Sequence, residues 1–184
     1  LEESKVKLNL DGNENVREAM GKIIIKNIQY VLAAYEDFLE QPQDPETLHQ
    51  LRIKLGRLRS MLSFASPIIA LESYAAKQEE LHNFDLKLSP LRELDVFMAT
   101  WQETIDSKMV FLCNHSWFTD LMEKERKEMQ ERLLSEVSRG QLTALLLDFW
   151  AWLLENPWQE NNFSRMSLAE YFRSRLAGWV NKRG

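Results

Sequence analysis

The stretch LHQLRIKLGRLRS, residues 48–60, decides how this chain folds. Leu48, Leu51, Leu55 and Leu58 recur at spacings of three and four, and Leu62 continues the series. At about 100° per residue these leucines form one narrow stripe, which predicts an amphipathic helix with a single buried edge. The same stretch carries His49, Arg52, Lys54, Arg57 and Arg59 and no acid, in a chain whose formal net charge is -5. His49, Arg52, Gly56, Arg59 and Ser60 fall together on the flank beside the leucines, while Lys54 and Arg57 point elsewhere. Like charges in register on a helix repel. The row therefore calls for acids supplied by another helix, or for an anionic ligand. Gly56 sits within it, at a cost of about 1 kcal/mol relative to alanine. Either another backbone approaches closely there, or a ligand lies along the helix. The residues alone leave both alternatives open.

Helical periodicity extends in both directions. Val16, Met20, Ile23, Ile24, Ile28, Val31, Leu32, Tyr35, Phe38 and Leu39 predict a helix before the stretch, with Asn15 and Glu18 as a capping start. QPQDPET breaks the pattern, and Asp44 with Pro45 caps the basic helix. Pro67 predicts the start of a third helix, carrying Leu71, Tyr74, Ala75, Leu81 and Phe84. Ser89-Pro90 repeats the cap-plus-proline signal and predicts a fourth, with Leu91, Leu94, Phe97, Met98 and Trp101. Further helices are expected over residues 117–136, after a Ser138–Gln141 capping box, and after a Ser167–Glu170 capping box. MEKERKEMQER reads as a solvated face and NPWQENNFSR as a loop. No convincing strand appears. The expected class is all-α, an antiparallel bundle of about six or seven helices in one domain spanning residues 1–184.

Composition agrees. Glycine (6) and proline (5) are scarce among 184 residues, which disfavours an all-β fold. One cysteine, Cys113, rules out an intramolecular disulfide and a thiolate zinc site, and fits a cytoplasmic protein. No apolar run approaches a membrane span, so no membrane partner is expected. The acidic balance argues against a generic duplex binder but leaves room for a local basic site.

A second constellation is LSPLRELDVF. Arg92 would stand near the start of its helix, with Asp95 one turn on. A cation there opposes the helix dipole, unless an anion binds between them. The alternatives are a plain Arg92–Asp95 pair, or an Asp95 that fixes Arg92 towards a ligand.

LHQLRIKLGRLRSMLSF, followed some thirty residues later by LSPLRELDVF, resembles the CHAD family, the conserved histidine α-helical domain. LLSEVSRGQLTALLLDFWAWL is more weakly similar to a later family segment. The resemblance implies an all-helical fold of two similar halves, whose basic histidine-bearing helices line a groove that binds inorganic polyphosphate. It implies no catalysis and no cofactor, a partner or fused CYTH-type triphosphatase, and association with polyphosphate granules. The family's histidine falls on His49 and its first arginine on Arg52. The paired basic positions fall on Gly56 and Arg57, the last on Arg59, and the second motif on Arg92 and Asp95. Gly56 departs from the family's usual cation, and Lys54 is an extra one. The candidate polyphosphate ligands are therefore His49, Arg52, Arg59 and Arg92, then Arg57 and Lys54, supported by Asp95 and Gly56. A second basic motif does not follow the tail SLAEYFRSRLAGWVNKRG, so the expectation is a fragment or a divergent member with half the groove.

Other chemistry is weaker. Cys113 with His115 reads as a packed thiol and an unrelated histidine. His82 with Asp85 lacks a third metal ligand and reads as a surface hydrogen bond, so no metal is expected. The six tryptophans read as packing rather than a base-stacking platform, and specific nucleic-acid binding is not expected. The competing function is a helical interaction or scaffold domain, accessory to a fused enzyme.

Overall fold

The structure, a computed structural model, describes residues 9–108, 116–137 and 140–180. Within them lie six α-helices: α1 (Val16–Glu40), α2 (Pro45–Ala65), α3 (Leu71–Lys108), α4 (Ser116–Val137), α5 (Gln141–Leu154) and α6 (Leu168–Val180). Short 3-10 turns occupy Ser66–Ile68 and Phe163–Arg165. There is no strand among the described residues, only two isolated bridges, Asn15 with Ser167 and Ile69 with Trp158. No helix among them is long and apolar enough to cross a membrane.

The local signals act as expected at three helix starts. The Asn15 side chain accepts from the Arg17 N–H, and the Asp44 side chain accepts from Glu46 N–H ahead of Pro45. Before α6 the capping box is reciprocal: Ser167 N–H donates to Glu170 Oε2 at 2.9 Å, and Glu170 N–H donates to Ser167 Oγ at 3.3 Å. Each bond satisfies a donor that the first helical turn leaves free. Ser138, Cys113 and His115 lie outside the described residues. Gly140 immediately precedes α5 with φ +72, a left-handed conformation that glycine adopts without a Cβ clash.

The leucine stripe of α2 is the centre of the core. Leu48, Leu51, Leu55, Leu58 and Leu62 are at most 1% exposed. They meet Met20, Ile24, Ile28, Val31 and Phe38 of α1 and Leu81, Phe84, Leu88 and Leu91 of α3 in one buried cluster. α1 packs along α2, α2 on α3 and α3 on α4, while α5 returns to α1. The loop after α5 is tied to the turn between α2 and α3: Gln159 N–H donates to the Ile68 carbonyl at 3.0 Å, and Asn161 Nδ2 to the Pro67 carbonyl at 2.7 Å.

Two expectations are corrected. Ser66–Ile68 is a single 3-10 turn, and the third helix starts only at Leu71. More consequentially, no helix starts at Ser89-Pro90, because α3 runs through Pro90 without a break. Pro90 cannot donate to the Leu86 carbonyl, and Leu86 and Pro90 both lie on the exposed side of α3. Ser89 turns its hydroxyl back onto the Asp85 carbonyl at 3.1 Å, which is the bond of a helix interior rather than of a cap.

The length of α3 explains another departure. Its 38 residues span about 57 Å against about 32 Å for α2. The two run antiparallel, with Arg59 opposite Gln78, Arg52 opposite Asp85, and Pro45 beside Val96 and Thr100. From about Val96 onward, α3 runs past the start of α2. Phe97, Trp101, Trp117 and Phe118 then pack edge to face on one another. Phe97 (49%) and Trp117 (67%) stay exposed there, although Phe97 is periodic with the core and Trp117 was expected to pack. Leu71, at the other end of α3, is exposed too.

Candidate functional site

A basic row on α2 faces a mixed row on α3. On α2 the residues are His49, Arg52, Gly56 and Arg59, each beside the buried leucines. On α3, spacings of three and four place Gln78, His82, Asp85, Ser89 and Arg92 along one face. Because α3 is continuous, this face is continuous too.

Asp85 is where the two rows meet. Its Oδ1 accepts from Arg52 Nε at 3.1 Å, and its Oδ2 lies 3.5 Å from an Arg59 terminal nitrogen. The acid missing from the basic helix is thus supplied by its neighbour. It is one carboxylate for two guanidinium groups, so the trio keeps a net positive charge. The arginine side chains are 27% and 32% exposed and Asp85 is 17% exposed, so the carboxylate is the more deeply set of the three. Gln78 secures the far end by donating to the Arg59 carbonyl at 2.8 Å. Asp85 therefore pairs with arginines, in place of the surface bond to His82 expected from their spacing.

Gly56 faces open space, since a Cβ built there would meet nothing within 4 Å. No neighbouring backbone explains it. Gly56, Arg59, Ser60, Ser63, Tyr74 and Gln78 border an open hollow of about 570 Å³. Its polar rim continues the row towards the C-terminal end of α2.

At the other end, Arg92, Asp95 and Arg126 line a second hollow of about 390 Å³ beside Pro45. Arg92 is in mid-helix, so the opposed dipole expected at this position does not arise. Asp95 does not hold Arg92 in place. Its side chain is 0% exposed and accepts from Arg126 Nε of α4 at 2.6 Å. Burial pushes the Asp95 carboxyl upward, against the pull of Arg126 and of the nearby Arg92. Arg126 comes from the run read as a solvated face, yet its side chain is only 14% exposed. Only its register, one α3–α4 contact away from Asp95, could have marked it.

The two secondary candidates stand apart from the row. Lys54 lies over the Tyr30 ring of α1, 5.4 Å from its centroid. Arg57 is exposed and off the row by helical spacing. His82, set aside as lacking a basic row of its own, is exposed on the α3 face between Gln78 and Asp85. No group of three or more metal-ligating side chains occurs among the described residues.

The family model described as CHAD domain matches residues 22–183. A crystal structure of the CHAD domain from the plant Ricinus communis is similar in fold, with a TM-score of 0.73 and 24% sequence identity. The match covers 93% of this chain and 55% of that one, so this chain spans little more than half of its length. No curated protein matches the chain by sequence. The matched residues include both helices of the basic row and all six helices in whole or in part, and the chain belongs to the CHAD domain family.

Proposed function

We propose that this CHAD domain binds inorganic polyphosphate along the α2–α3 face, as a binding module that performs no catalysis. The observation that carries this reading is the sharing of one carboxylate, Asp85, by Arg52 and Arg59. A structural network would balance its charges, whereas this one leaves an excess of cation on a half-exposed row. Arg92 extends the positive charge along α3, and His49 stands one turn of helix before Arg52–Ile53, on the Arg92 side. Guanidinium groups donate in a planar fork suited to phosphate oxygens. A linear polyanion crossing several such groups gains avidity from each, so affinity rises with chain length. Lys54 and Arg57 add long-range attraction rather than contacts. A fused or partnered CYTH-type triphosphatase is the kind of enzyme such a module would serve.

The test is a titration with polyphosphates of increasing length, single-stranded DNA and ATP, at two salt concentrations. Polyphosphate should bind best, gain affinity with length and lose it steeply with salt. Arg52→Ala and Arg59→Ala should each weaken it. Equal binding of DNA, or unimpaired variants, would leave the scaffold reading in its place.

A further inference from the structure

Arg52 and Arg59 lie seven residues apart, so their backbones are separated by about 10 Å along α2. Their side chains nevertheless converge. One reaches Asp85 Oδ1 and the other Oδ2, so each oxygen of a single carboxylate holds one guanidinium. Without that carboxylate two like charges would separate. Gly56 stands between the two arginines on α2 and faces open space. The result is a pair of cations gathered over a short span, with open surface in front of them.

We propose that Asp85 is a positioning residue that gathers Arg52 and Arg59 into one receptor for adjacent phosphoryl groups, and so selects condensed phosphate over a nucleic-acid backbone. Adjacent phosphoryl groups of a condensed phosphate share a bridging oxygen, whereas those of a nucleic acid are separated by a sugar. Two cations held close together match the first spacing better than the second. Asp85 thus makes a repulsive contribution to any anion and a larger favourable one, by pre-organisation, to an anion with closely spaced charges. The inference rests on polyphosphate being the ligand of this face.

Asp85→Asn separates charge from geometry, because it makes the face one unit more positive while releasing the arginines. The expected result is polyphosphate binding at least threefold weaker, with binding of single-stranded DNA equal or tighter. In an Arg52→Ala/Arg59→Ala chain, where only the repulsion remains, the same substitution should leave polyphosphate binding equal or tighter, never weaker. Thermal unfolding of each chain serves as the control for folding, and Asp85→Ser replaces the asparagine variant if that one unfolds early. Polyphosphate binding that is unchanged or tighter in a folded Asp85 variant overturns the inference and leaves the proposed function intact. Persistence of the effect in the doubly substituted chain also overturns it, since Asp85 would then act through something other than the two arginines. A wild-type chain that binds polyphosphate no better than DNA removes the proposed function, and this inference with it.

Discussion

Asp85 on α3 accepts from Arg52 on α2 across a distance of 3.1 Å, and neither helix supplies both partners. That relationship locates the row. It fixes α2 and α3 in register, so that the basic flank of one helix lies along the Gln78–Arg92 face of the other. It also limits how far the positive charge is neutralised, because the same carboxylate serves Arg59. An acidic chain can in this way keep a locally cationic strip.

Gly56 should tolerate a larger side chain other than proline, since it faces open space within a helix. Gly56→Ala should stabilise the fold by about 1 kcal/mol, raising Tm by roughly 2–4 °C. Gly56→Arg adds a cation to the row and should tighten polyphosphate binding several-fold. Thermal unfolding and the binding titration check the pair. A destabilised alanine variant would mean that α2 needs the glycine for a contact on this flank.

Pro90 lies inside α3 and removes one helical hydrogen bond. Pro90→Ala should restore it and stabilise the chain by about 1–3 kcal/mol, after allowing for a more flexible unfolded state. Urea unfolding measures this. A loss of stability would show that proline begins a separate helix there.

Arg126 compensates a carboxylate with no solvent exposure. Arg126→Ala leaves Asp95 buried without a partner and should cost about 3–5 kcal/mol. Arg126→Ala with Asp95→Leu should recover most of that loss. Denaturant unfolding of the wild type, the two single variants and the double variant gives the coupling.

Much of this was legible in the sequence. Leu48 to Leu62 carry an uninterrupted period, and the buried edge, the basic flank and the caps at Asn15, Asp44 and Ser167 all follow from local rules. Asp85 and Arg126 did not, because their roles depend on which helix faces which. The Ser89-Pro90 signal concealed the first of these. Splitting α3 there cuts the Gln78–Asp85–Arg92 face in two, and Asp85 then has no reason to lie opposite Arg52. Proline in a long helix is compatible with continuation where it lies on the exposed side of the helix, a tertiary fact that a local signal lacks. Arg126 was hidden by composition: alternating charges read as solvated, and one arginine in that run turns inward.

Tyr171 gives a pH signature for the attachment of α6. Its buried hydroxyl donates to the Phe64 carbonyl of α2 at 2.6 Å, and burial pushes its pKa up to about 12, against the pull of Arg175. The unfolded chain releases this proton near pH 10, so between about 10 and 12 the unfolded state binds fewer protons than the folded one. The stabilisation is complete below that window and is lost as pH rises through it, by up to roughly 3 kcal/mol. Urea unfolding over this range should show the loss in the wild type, and Tyr171→Phe should lack that component.

The central claim is that polyphosphate lies on the α2–α3 face, and the most direct test is a titration followed through arginine side-chain Nε–H resonances in ¹H–¹⁵N spectra. Signals are assigned by Arg→Lys substitution at each position. Arg52, Arg59 and Arg92 should shift together and saturably, while Arg17, whose partner is Glu160, and Arg126, held by Asp95, stay in place. Shifts confined to arginines off this face, with Arg52 and Arg59 unmoved at saturation, would contradict the account.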